Sequence, residues 1–172
     1  TILHAKHIYI IGIRSCAPLA SFMAFYFTLM FPNVHLIQTS SSSEIFEQMV
    51  RIGKEDVIIG ISFPRYSMRT LKAMEFANNR SAKVITLTDS VHSPMNLYSS
   101  CNLIADSDMA SIVDSLVAPL SVINALIVAL CMKKQNEVAK TLEMLEDIWD
   151  EYQVYENDEI NYIDDSIKMR YG

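Results

Sequence analysis

Five short apolar runs, at residues 7–11, 34–37, 57–61, 84–88 and 102–105, recur along the chain with helical patterns between them. This alternation limits the fold more than any other feature of the sequence. The runs are mostly β-branched and continuous rather than alternating, as strands covered on both faces are. A helical pattern at 18–31 follows the first run, with Pro18 suited to a first turn. Ser41 and Glu44 have the spacing of a capping box at the head of the second helix. Residues 67–80 form the third pattern, and 93–100 allow only a short turn. Residues 109–132 are long and apolar, with a kink predicted at Pro119. Residues 134–155 are amphipathic, with Val138, Leu142, Leu145, Ile148, Trp149 and Tyr152 on one face.

Such alternation predicts an α/β protein with a parallel sheet and helices on both faces. The expected architecture is a three-layer αβα sandwich round a flavodoxin-like five-stranded parallel sheet of strand order 2-1-3-4-5. In that order the topological switch point lies between the first and third strands, and ligands bind outside the C-terminal ends there. Those ends are Gly12-Ile13-Arg14-Ser15-Cys16 and the stretch Ser62-Phe63-Pro64-Arg65-Tyr66-Ser67.

Composition removes several function classes. With 51% hydrophobic and 20% charged residues in 172, the chain has the make-up of a globular domain, not a disordered one. The net charge of −6 is uneven: residues 141–172 carry ten Asp/Glu against two Lys/Arg, whereas 1–140 carry ten against twelve. An acidic end repels nucleic acid, so this chain's own surface is not expected to bind DNA. Cys16, Cys101 and Cys131 are scattered. They offer neither a disulfide framework nor zinc-ligand spacing, which favours a reducing, cytoplasmic setting without metal or cofactor. Residues 18–31 are too short to span a bilayer, and Asp114, Pro119, Ser121 and Asn124 interrupt 109–132, so both read as core helices rather than membrane spans. The start Thr1-Ile2-Leu3-His4 has no basic and then apolar leader, and a chain that begins without Met reads as a piece of a longer protein. The expected division is one domain over 1–155 and an acidic tail or arm over 156–172.

The first loop, Gly12 to Pro18, holds one glycine, and no acidic residue closes the second run. Neither a dinucleotide fingerprint nor a phosphate-binding G-x-x-x-x-G-K-[ST] loop is present. Hydroxyls take their place at the strand ends: Ser15, residues 39–43, Ser62 and Ser67, then Thr88 and Ser90. Any one of them reads as a helix cap. Clusters that converge on a switch point can also hydrogen-bond an anion, helped by the helix dipole.

The order GIRS, SSSSEIFEQM, GISFPRYSMRT, ITLTDSVHSPM and then a long apolar helix resembles a sugar isomerase (SIS) domain over nearly all of residues 5–132. ISFPRYSMRTLKAMEFA, TDSVHSP and SDMASIVDSLVAPLSVINALIVAL resemble the C-terminal ligand-sensing domain of RpiR/MurR-type bacterial transcription regulators. The resemblance implies a phosphosugar effector bound by hydroxyls after the first and third strands. It also implies DNA contact only through a separate N-terminal helix-turn-helix (HTH) domain, which would precede Thr1.

Carried over onto this chain, Ser15 matches the hydroxyl of the first loop, and Cys16 takes that place if the loop shifts by one. Ser62 matches the first Ser of the family's S-x-S-G-x-T. Pro64 replaces its second Ser, Arg65 its Gly, Ser67 stands where the Thr stands, and Thr70 begins the helix. Arg65 either restores phosphate binding through its guanidinium or faces solvent. Arg14, at a position often Gly in the family, either adds a phosphate contact or blocks the pocket. Glu44 matches a Ser-Glu-aromatic element near the sugar in some SIS enzymes, or else completes the capping box. Asp108, Ser111, Asp114 and Ser115, at the head of the long helix, are further pocket candidates, with Asp108 equally an N-cap. The expected role is sensing rather than catalysis. Sugar-phosphate isomerisation is the alternative, with Glu44 or His92 as its base, and His35 reads as structural. The apolar surfaces of 18–31 and 109–132 exceed what one small sheet covers, which predicts a homodimer or higher oligomer.

Overall fold

The computed structural model describes residues 1–39, 41–106 and 115–155. Five strands, β1 (Ile8–Gly12), β2 (Val34–Ile37), β3 (Val57–Ile61), β4 (Lys83–Thr88) and β5 (Cys101–Ile104), form one sheet in the order β2-β1-β3-β4-β5. Every pairing is parallel. The helices are α1 (Ala17–Met30), α2 (Ser42–Gln48), α3 (Met68–Asn79), α4 (Val117–Lys133) and α5 (Gln135–Glu151). The chain divides into two compact units, Thr1–Lys134 with the whole sheet and α1 to α4, and a second that starts at Gln135 with α5.

The strands form where the sequence predicts because β1 and β3 are buried along their whole length. The pleat sends alternate residues to opposite faces. Tyr9, Ile11, Ile58 and Val84 pack with Ile45, Met49, Ala73, Met74 and Ala77 of the α2–α3 side. Residues of the other parity, such as Ile10, Ile59 and Leu87, are wholly buried too, as are Leu19, Met23 and Phe27 of α1 and Ile123 of α4. Gly60 lets α3 come close: a Cβ there would lie 2.4 Å from the Met74 sulfur. Gly12 does the same for the first loop, since its Cβ would meet the Cys16 carbonyl oxygen at 2.5 Å.

Three local expectations change. The capping box does not form: Ser41 is the N-cap of α2 without a side-chain cap bond, and the Glu44 carboxylate instead accepts from the Thr39 hydroxyl. Pro119 does not kink a helix. It sits in the first turn of α4, where the missing N–H has no partner to lose. Strand ends move by one residue, with Gly12, Lys83 and Cys101 joining their ladders. Ser40, Asp108, Ser111, Asp114 and the acidic stretch 156–172 lie outside the described residues. Among the described residues, no single helix is long and apolar enough to cross a membrane. At about 26 Å, α4 falls short of a hydrocarbon core of about 30 Å.

Candidate anion-binding site

The loops that leave β1 and β3 meet at the switch point and enclose a cavity of about 500 Å³. Its lining comes from residues 13–16 of the first loop and 62–69 of the second. Six of the candidates read from the sequence come together here: Arg14, Ser15, Cys16, Ser62, Arg65 and Ser67.

The first loop is a single 3-10 turn, Arg14–Cys16, closed by the Cys16 N–H on the Ile13 carbonyl at 3.3 Å. It runs directly into α1, with Pro18 in the first turn. Ser15 is exposed and Cys16 is buried, so Ser15 is the better placed of the two to meet a ligand.

The second loop is held by its own hydroxyls. Ser62 extends the sheet, its N–H donating to the Leu87 carbonyl at 3.1 Å. Its buried Oγ accepts from the Ser67 N–H at 3.0 Å. Ser67 is the N-cap of α3, and its Oγ accepts from the Thr70 N–H at 3.3 Å. Both bonds use an oxygen lone pair, and neither consumes the hydroxyl proton. The same side chain can therefore shape the loop and donate to an anion. The loop is anchored on its far side as well. The Tyr66 hydroxyl donates to both oxygens of Asp89, at 2.9 and 3.1 Å. Thr88 donates to the same carboxylate at 3.0 Å. Burial pushes the Tyr66 phenol above its ordinary value; a hydrogen bond with Ser93 opposes this and Asp89 reinforces it. Tyr66 thus stays protonated as a donor.

The charged side chains that line the cavity among the described residues have one sign. Arg14, Arg65 and Arg69 line it, and no Asp or Glu does so among the described residues. The positive end of α3 adds to that field, because the first turn of a helix leaves N–H groups without intrahelical partners. Arg69 escaped the sequence reading. Its signal was its place two residues after the N-cap, since helical side chains lean back toward the N-terminus. Two candidates lie elsewhere. Thr70 is fully buried, and its hydroxyl has no hydrogen-bond partner among the described residues. Glu44 is exposed on α2, outside the lining. His92 is exposed in the turn after β4, its N–H on the Ser90 hydroxyl at 3.2 Å, and it too lies outside the lining.

A second polar cluster lies outside this cavity. The His7 Nδ1 and His35 Nε2 are 3.0 Å apart, and His35 stacks on Tyr9 with ring centroids 4.8 Å apart. Burial lowers the His35 pKa, His7 lowers it further, and Asp56 partly opposes both. Among the described residues, no group of three or more His, Cys, Asp or Glu is arranged to hold a metal ion.

Fold and cavity together define a doubly wound α/β domain with a cationic, hydroxyl-lined pocket at its switch point. The SIS domain family profile matches residues 1–129, and the chain belongs to that family. Over 98 residues it is 32% identical to an uncharacterised HTH-type transcriptional regulator of Caldanaerobacter subterraneus subsp. tengcongensis. That match takes in 55% of this chain and 35% of the regulator, so it spans about a third of the relative's length. The fold matches the sugar isomerase domain of an RpiR transcription factor from Sphaerobacter thermophilus with a TM-score of 0.80 at 22% identity, over 85% of this chain and 81% of that one. It matches the NanR protein of Vibrio vulnificus, complexed with ManNAc-6P, with a TM-score of 0.72 at 17% identity, over 86% of this chain and 58% of that one.

Proposed function

We propose that the chain is the phosphosugar-sensing effector domain of an RpiR-type bacterial transcription regulator. A sugar phosphate binds in the switch-point cavity, its phosphate held by Ser15, Ser62, Ser67 and the head of α3. Its unequal affinity for two arrangements of a homodimer changes DNA binding by an attached HTH domain, in the cytoplasm. The observation that carries this reading is the cavity itself: arginines and capping hydroxyls converge on it, with no carboxylate among the described residues. The HTH-type relative and the sugar phosphate bound to NanR point the same way. Exposed Phe25 of α1 with Val128 and Met132 of α4 supports a dimer, because a second copy can cover them.

Binding is favoured over isomerisation because the described lining offers no carboxylate or imidazole as a base. A thermal-shift screen against hexose, pentose and amino-sugar phosphates tests the reading. A ligand at 100 times its dissociation constant stabilises the folded state by about 2.7 kcal/mol, which is roughly 5–10 °C for a domain of this size. The shift should vanish in the Ser62→Ala, Ser67→Ala double variant. No shift with any sugar phosphate in the unaltered chain would sink the proposal.

A further inference from the structure

The second loop carries its hydroxyls on a backbone that needs holding. Arg65, near its middle, has a φ of 67°, and Arg14 in the first loop has one of 58°. A residue with a Cβ resists this left-handed conformation, which persists only where its surroundings fix it. Tyr66 comes next and is fixed from two directions. Its ring packs against the core on the α2–α3 side. Its hydroxyl donates to both oxygens of Asp89, which lies in a different loop, directly after β4.

That loop is itself well held. Thr88, wholly buried at the end of β4, donates to the Asp89 carboxylate at 3.0 Å. The hydroxyl oxygens of Thr88 and buried Ser93 are 2.8 Å apart. Ser93 in turn accepts from the Met95 N–H at 3.2 Å, at the head of the 3-10 turn Pro94–Tyr98. The Asn96 amide closes the loop by donating to the carbonyls of Ser90 and Val91 at 2.9 and 3.1 Å. The Asp89 carboxylate is thus oriented from its own side, and Tyr66 reaches across to it. Tyr66 lines the cavity, and Asp89 lies outside the lining. Resting on the phosphosugar reading, we propose that Asp89 is a positioning residue of the effector site. It acts through the Tyr66 hydroxyl, fixes residues 62–67 in their anion-binding form, and so raises affinity for an anion although it is an anion itself.

The sign of its effect separates this role from simple electrostatics. A carboxylate one hydrogen bond away from the lining repels a bound phosphate, so its removal tightens binding if charge alone matters. If Asp89 positions the loop, its removal weakens binding, because the ligand must then order the loop at its own cost.

Isothermal titration of the full chain with hexose, pentose and amino-sugar phosphates tests this. Tyr66→Phe keeps the packed ring and loses the hydroxyl, and Asp89→Ala loses the acceptor. Each should bind the best probe about three- to tenfold more weakly than the parent. Because the two residues act through one contact, the double variant should bind no more weakly than Tyr66→Phe alone. Asp89→Asn keeps an oxygen that can accept from Tyr66 and should recover part of the affinity lost in Asp89→Ala. Circular dichroism checks that each variant is folded. Should Asp89→Ala fail to fold, Tyr66→Phe and Asp89→Asn decide: both bind more weakly than the parent, or the inference falls. Parent-like binding by Tyr66→Phe, or tighter binding by Asp89→Ala, would overturn the inference and leave the phosphosugar reading standing. Additive losses in the double variant would overturn the route through Tyr66. No binding of any probe by the unaltered chain would defeat the phosphosugar reading, and this inference with it.

Discussion

Ser67 shapes its helix through a lone pair and is proposed to bind ligand through its proton, so the two roles can be separated by substitution. Ser67→Ala removes the acceptor that meets the Thr70 N–H at 3.3 Å. Loss of such a cap costs about 1 kcal/mol. With a urea m-value of about 2 kcal/mol/M, the unfolding midpoint should fall by roughly 0.5 M. Ser67→Asp keeps an oxygen in place and ranks with serine as a cap, and its charge suits the positive end of α3. Its midpoint should stay within about 0.2 M of the parent. Ligand affinity should behave otherwise. Both variants lose the hydroxyl donor, worth about 1.5–3 kcal/mol to a charged acceptor, or roughly 10–100-fold in dissociation constant. Aspartate also repels the phosphate, so Ser67→Asp should bind more weakly than Ser67→Ala. Urea denaturation followed by circular dichroism and titration with the best sugar phosphate provide the two readouts. If Ser67→Asp destabilises as much as Ser67→Ala, capping does not hold the loop. If Ser67→Asp binds ligand like the parent, the phosphate does not sit at Ser67.

Ser62→Ala leaves the half-buried Ser67 N–H without its acceptor and should cost about 1 kcal/mol in urea unfolding. Gly12→Ala drives a Cβ against the Cys16 backbone oxygen, whereas Gly60→Ala meets the mobile thioether of Met74. Gly12→Ala should therefore be the more damaging, at about 2–3 kcal/mol against about 1, and by calorimetry only Gly12→Ala should also weaken ligand binding. Because His35 resists protonation in the folded state, the unfolded chain takes up more protons there as pH falls. Stability from this residue is present above about pH 6.5 and is lost below it. His35→Gln should flatten the fall in melting temperature between pH 7 and 5, measured by scanning fluorimetry.

The sheet was legible because β1 and β3 are buried on both faces, so apolarity is continuous there and needs no partner to reveal it. Edge positions such as Cys101 were missed because ladder hydrogen bonds place them, not burial: Cys101 is exposed yet pairs with Ile85. The two site loops were legible as hydroxyls at strand ends, since the topology alone brings the ends of β1 and β3 together. Glu44 was not. Two neighbouring groups compete for its carboxylate, and spacing does not say that the Thr39 hydroxyl wins over the backbone cap. The His7–His35 pair spans 28 residues and appears only once the register sets Tyr9 beside His35. Thr70 shows the limit of motif transfer. Its place at the helix start is as expected, yet its hydroxyl turns into the protein rather than to the cavity lining.

The arginine loops also bear on how such a pocket can sense a ligand. Two left-handed residues with side chains cost about 1–2 kcal/mol each, a sizeable part of a typical net stability of about 5–15 kcal/mol. The hydrogen bonds that fix the second loop, from Ser67 N–H to Ser62 and from Tyr66 to Asp89, hold it against that strain. An anion bound in the cavity would add binding energy to the same two loops. Those loops start at the ends of β1 and β3 and lead into α1 and α3. In this unit the loops that a ligand would tighten thus each hold a left-handed residue with a side chain, which gives its binding energy a place to act.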